Sequence, residues 1–116
     1  MDHSKFSKIN IESAKGFITA LPDNVPQEYL AQVDTNFHFD IEGEGGGQFS
    51  VIVKDNKIEV FEHFEGEPNC VIKAKEQNFL KLLRGELNPM MAVFSGKLKV
   101  SDPGEVMKYA KIFGLM

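Results

Sequence analysis

Hydrophobic and polar residues alternate along this chain with two periods, and the places where the period changes divide it into elements. Phe17, Ile18 and Leu21, with Ile11 and Ala14 ahead of them, form an apolar stripe at helical spacing; Asn10 or Ser13 caps it and Pro22 stops it. A shorter turn follows Pro26, with Tyr29, Leu30 and Val33 facing inward. From Thr35 the period is two: Phe37, Phe39 and Ile41 share one side of a strand, and His38, Asp40 and Glu42 the other. A glycine cluster over residues 43–47 turns the chain, Phe49, Val51 and Val53 resume the alternation, and residues 54–57 turn it again. Ile58, Val60 and Phe64 supply a third strand, with Phe61 on its opposite face. After a loop at 65–69, Cys70, Ile72 and Ala74 alternate with Val71, Lys73 and Lys75 in a fourth.

Residues 76–100 organise the rest. Phe79, Leu82 and Leu83 recur at helical spacing, Gly85 sits where that helix stops, and Asn88-Pro89 starts a second, short helix. Met90, Met91, Val93 and Phe94 load this second helix with more apolar groups than it needs to rest on a sheet. Ser95-Gly96 breaks it, and Leu98 and Val100 face one side of a fifth strand, with Lys97 and Lys99 on the other. Asp102 ahead of Pro103 opens a last helix packed through Val106, Ala110 and Phe113, with Met107 nearby. This order gives an α+β plan with one sheet face covered and the other wetter. A length of 116 residues without repeats or linkers predicts one domain over 1–116.

Composition narrows the function. Hydrophobic content of 42%, charged content of 26% and a net charge of -4 describe an ordinary globular protein without the basic excess that nucleic acid requires. The lone Cys70 excludes an internal disulfide or a thiolate cluster within one chain and points to a reducing compartment. With neither a signal segment nor an apolar run of ~20 residues, the expected location is cytoplasmic. Candidate chemistry is sparse. His3, His38 and His63 are scattered, and no Gly-x-Ser-x-Gly elbow exists, so no catalytic residue and no cofactor are assigned. His38, Asp40 and Glu42 offer three ligand types on one strand face, a pattern read as the strand's polar side rather than as a metal site. The glycine cluster leads from strand to strand, not into a helix N-terminus, and is read as a hairpin turn rather than a phosphate loop. Cys70 is read as a small hydrophobe. Lys73, Lys75, Lys81, Arg84, Lys97 and Lys99 flank the apolar block, where they either solvate a face or meet an anionic headgroup at the mouth of a tunnel.

Phe79-Leu80-x-Leu82-x-x-Gly85-x-Leu87-Asn88-Pro89, followed by a short apolar helix and Gly96-Lys97-Leu98-Lys99-Val100, resembles the sterol carrier protein type two family. The likeness extends over about residues 10–116 and is most specific over 70–100. It implies a five-stranded, mixed but mostly antiparallel sheet with helices packed over one face. It also implies non-catalytic binding and intracellular carriage of an apolar lipid (a fatty acid, a fatty acyl-CoA or a sterol-like molecule) in a hydrophobic tunnel between the sheet and residues 76–94 and 103–113. Phe79, Leu83, Met90, Met91, Phe94, Leu98, Val100, Met107 and Phe113 are the expected lining, and unbranched methionines suit a wall that accepts ligands of several shapes. The apolar tail from Phe113, hinged at Gly114, is the expected flap over the opening. The ending Gly114-Leu115-Met116 is not a peroxisomal address, so that location is not carried over. The alternative is an accessory module that presents a lipid to a partner enzyme, for example in isoprenoid quinone synthesis. Transient membrane contact fits both readings, and ligand identity and oligomeric state stay open.

Overall fold

A computed structural model describes residues 12–109 and 112. The chain enters through helix α1 (Ala14–Thr19), capped by Ser13, whose side chain accepts the Gly16 N–H at 2.9 Å. Pro22 has a different role from the one expected. It occupies the first turn of a second short helix, α2 (Leu21–Asn24), where a missing N–H costs nothing. A 3₁₀ turn over Gln27–Leu30 buries Leu30 and leads into the sheet.

Strands β1 (Thr35–Glu42), β2 (Gly47–Lys54), β3 (Lys57–Phe61), β4 (Cys70–Lys75) and β5 (Leu98–Val100) form one sheet in the order β3-β2-β1-β4-β5. Three neighbouring pairs are antiparallel and one, β1 with β4, is parallel, so the sheet is mixed and mostly antiparallel as expected. Asp55 and Asn56 both take positive φ, 54° and 60°, which gives the two-residue β2–β3 hairpin the twist its strands require.

Helices α3 (Glu76–Leu83), α4 (Pro89–Phe94) and α5 (Pro103–Lys108) follow the fourth and fifth strands. Gly85 ends α3 at φ 78°, and the Glu86 N–H closes back on the Lys81 carbonyl at 2.8 Å. Asn88 caps α4 by accepting the N–H groups of Met90 and Met91 at 2.9 and 3.2 Å. Asp102 caps α5 through the Glu105 N–H at 3.3 Å. The core lies between the helices and the face carrying Phe37, Phe39, Ile41, Phe49, Val51 and Ile72, all buried. Phe79 is its junction, edge-on to Phe17 at 6.3 Å and to Phe39 at 5.9 Å.

The opposite face is less wet than the alternation predicts. Asn36, His38 and Ser50 are buried there, because residues 62–69 leave β3 and cross over β2 and β1 to reach β4. Phe64 belongs to this crossing segment, not to β3, and its ring stacks on His38 at 4.7 Å. Backbone groups of the crossing segment find partners in those three side chains. Asn36 Nδ2 donates to the carbonyls of Glu65 and Glu67 at 2.8 and 3.1 Å. Ser50 Oγ donates to the His63 carbonyl and accepts the Glu65 N–H, both at 2.7 Å, and His38 Nε2 meets the Glu65 carbonyl at 3.0 Å.

One carboxylate ties the N-terminal helix to the sheet. Glu76, the first residue of α3, accepts the Ala14 N–H on one oxygen and the Gly45 N–H on the other, each at 3.1 Å. Gly46 turns so closely that a Cβ placed there would overlap the Ile41 carbonyl. Glu76→Ala is therefore expected to cost about 1–3 kcal/mol, because two N–H groups lose their acceptor. Glu76→Gln, which keeps one oxygen, is expected to cost less, and Gly46→Ala about 1–3 kcal/mol from the overlap. Urea unfolding of the three variants measures each difference.

Candidate functional site

Helix α4 presents an unusual surface for its length. At 100° per residue Met90, Phe94 and Met91 fall within an arc of roughly 100°, and Ala92 and Val93 lie on the opposite side. Ala92 is fully buried, whereas Met90, Met91 and Phe94 are 50%, 62% and 79% exposed. The helix is thus anchored by its smallest apolar residue and shows solvent its largest ones. Met107 on α5 is also exposed, at 47%, although Val106 beside it is buried. An apolar surface concentrated on one short helix is a feature of binding sites rather than of ordinary exteriors.

Eight of the nine expected lining residues fall into three groups. Phe79 and Leu98 are core residues, fully packed between helix and sheet. Leu83 and Val100 are half-buried at the margin of that core. Met90, Met91, Phe94 and Met107 are the exposed group, and Phe113 lies outside the described residues, as do Ala110 and the tail 114–116 expected to form a flap.

A cavity of about 590 Å³ opens where β4 and β5 meet the first turn of α3 and the α4–β5 turn, bordered by Asp40, Glu42, Lys73, Ala74, Lys75, Asn78, Ser95, Gly96, Lys97 and Lys99. A smaller one, about 350 Å³, adjoins it at Glu42 and Lys75 and continues to Gly43, Glu76 and Gln77. None of the eight described apolar residues borders either cavity. Of the six cations named from the sequence, Lys73, Lys75, Lys97 and Lys99 come together on this wall; Lys81 and Arg84 do not. Asp40 and Glu42 were assigned only to a polar strand face. Their place beside the lysines follows from the parallel β1–β4 register, which sets Asp40 against Lys73 and Glu42 against Lys75.

His38 is occupied by Phe64 and the Glu65 carbonyl, and among the described residues no three His, Cys, Asp or Glu side chains converge as metal ligands. Cys70 is buried, its Sγ donating to the Asp102 carbonyl at 3.5 Å. Burial pushes this thiol up from its ordinary pKa, outweighing the hydrogen bonds from Asp102 and Ser101 that pull it down. No helix among the described residues is long and apolar enough to cross a membrane.

A five-stranded mixed sheet with helices over one face, and an apolar helix left uncovered beside it, defines an α+β domain with an exposed apolar surface. The SCP-2 sterol transfer family matches residues 16–114, and the chain belongs to it. Membership implies lipid binding and transfer on a fold that is in general non-catalytic. Hydroxysteroid dehydrogenase-like protein 2 of Xenopus laevis is 31% identical over 102 residues, covering 84% of this chain and 24% of that protein. Sterol carrier protein 2 of Homo sapiens is 30% identical over 86 residues, covering 71% of this chain and 16% of that one. The chain thus spans a quarter or less of the length of these curated relatives. Among solved structures, the sterol carrier protein domain 2 of Helicoverpa armigera superposes with a TM-score of 0.66 at 22% identity, over 83% of this chain and 79% of that one. Palmitated SCP2L2 of Aedes aegypti gives 0.58 at 20%, over 97% and 93%. A UbiJ-SCP2 ubiquinone synthesis protein gives 0.60 at 15%, over 87% and 84%. At these identities the structures show the fold alone.

The contrast between buried and exposed aromatics has a direct test. Phe79→Ala is expected to cost about 3–5 kcal/mol, as for a large core side chain. Phe94→Ala is expected to stay within about 0.5 kcal/mol, as for a surface change. Urea unfolding of both variants checks the pair.

Proposed function

We propose that this chain binds and carries an apolar lipid, a fatty acid, fatty acyl-CoA or sterol-like molecule, using the apolar surface of α4 and α5 together with the margin of the core at Leu83 and Val100. The observation that carries the reading is the exposure of Met90, Met91, Phe94 and Met107 in a chain that belongs to a sterol transfer family. Three of these four are methionines, whose unbranched side chains adapt to guests of differing shape. Their lipid partner enters between α4, α5 and the sheet, with Phe79 and Leu98 as the floor that it approaches. No catalytic role is assigned to any residue.

Magnitudes support carriage without a dedicated polar contact. Burying a sixteen-carbon chain at ~0.8 kcal/mol per methylene yields on the order of 12 kcal/mol gross. Association and ordering remove about 4 kcal/mol or more. Micromolar or tighter binding follows, with weak discrimination between chain lengths, since one methylene contributes only about 0.8 kcal/mol.

A second reading is an accessory module that presents its lipid to a partner enzyme. The likeness in fold to a ubiquinone synthesis protein favours it, and so does the place of the matching region as a fraction of longer relatives. Native mass spectrometry of freshly purified protein separates the two: a co-purifying fatty acid supports the carrier, an isoprenoid quinone precursor the helper.

Titration with a fluorescent fatty acid tests the site. Wild type is expected to bind at micromolar concentration or below, and Phe94→Glu or Met91→Glu to weaken binding about tenfold or more, because either places a charge where the chain must lie. Their unfolding midpoints are expected to stay at the wild-type value. Unchanged affinity in both variants would remove α4 from the site.

A further inference from the structure

The described cavity of about 590 Å³ is lined mainly by charge. Four lysines and two carboxylates border it, a local excess of two positive charges in a chain whose net charge is -4. Each carboxylate has a lysine neighbour. Asp40 Oδ2 lies 4.0 Å from Lys73 Nζ, and Glu42 stands opposite Lys75 in the strand register. Lys97 and Lys99 have no ion-pair partner among the described residues, and neither does the Asn78 side-chain amide have a hydrogen-bond partner there.

Register makes the arrangement more telling. Lys73 and Lys99 are directly paired across β4 and β5, so two ammonium-bearing stems stand side by side on one face. Like charges in that relation destabilise a sheet. A violated local rule of this kind is expected where a site uses it. An anion held between Lys97 and Lys99, with Asn78 donating from the α3 side, offsets the charge that Lys99 brings beside Lys73 and satisfies the unmatched groups together. The volume falls within the range of small-molecule sites, and a concave wall holds a compact group better than it holds a flat surface.

We propose that this cavity binds a phosphate group carrying two negative charges, on a small soluble molecule or on a lipid headgroup. The site stands on its charged wall alone, so it holds or falls separately from the lipid reading.

Titration of the ¹⁵N-labelled chain with pyrophosphate at low ionic strength tests it, since salt screens such contacts. The expected result is saturable shifts concentrated at Lys73, Lys75, Asn78, Gly96, Lys97 and Lys99. Lys97→Gln combined with Lys99→Gln is expected to weaken binding about tenfold or more, with the rest of the spectrum intact. Lys54→Gln with Lys57→Gln, at the distant β2–β3 turn, is expected to bind as wild type does. Shifts spread evenly over all lysines, or a Lys97/Lys99 double variant that titrates like wild type, would overturn the proposal. Sedimentation with phosphatidic acid vesicles identifies the source. Vesicle binding lost in the same double variant, alongside pyrophosphate binding, assigns the phosphate to a headgroup; pyrophosphate binding alone assigns it to a soluble ligand. Vesicle binding without pyrophosphate binding overturns the cavity site in favour of a flat membrane contact.

Discussion

The parallel ladder between β1 and β4 is the constraint on which the arrangement rests. Parallel neighbours cannot be joined by a tight turn, so the chain must leave β1, build β2 and β3 outward, and return across the sheet to place β4 on the far side. The return path is residues 62–69, and it runs over the face that the helices do not use. A crossing backbone there needs hydrogen-bond partners, which is why Asn36, His38 and Ser50 are polar and yet buried. The crossing covers β2 and β1 but stops short of the end where β4 meets β5. The charged cavity lies at that end, between the strands, the first turn of α3 and the α4–β5 turn.

The helices and most strands were legible in the sequence, because their signals are local. Phe37, Phe39 and Ile41 alternate, Gly85 sits at the end of its helix, and Asn88-Pro89 and Asp102-Pro103 open helices by capping. What misled was non-local. The alternation at His38 looks the same whether that face meets water or the Glu65 carbonyl, since the crossing segment that decides it lies 27 residues away. Phe64 was placed in β3 for the same reason: an aromatic near a strand end fits the pattern, and only the route of the return shows that it covers His38. Pro22 was read as a stop because both the end and the first turn of a helix accept proline.

The candidate site divides along the same line. That 76–94 carries a surplus of apolar groups is plain from composition, but which of them pack is not. Phe79 and Phe94 are the same residue type on successive helices, yet one lies edge-on to two other rings and the other is 79% exposed. The lysines were visible as a flanking group, whereas their assembly around one hollow depends on the pairing of β4 with both β1 and β5.

Among the described residues the sheet ends in two outer strands, β3 and β5, and an outer strand is a template onto which a stray strand from another molecule could add. On one side β3 carries Lys57 and Glu59; on the other β5 is three residues long and bears Lys99, with Lys97 just ahead of it. Short length and charge are the usual defences against such addition. The lysines bordering the hollow therefore also act as gatekeepers of the β5 rim. Where they are neutralised, the three-residue length of β5 remains as the defence of that rim.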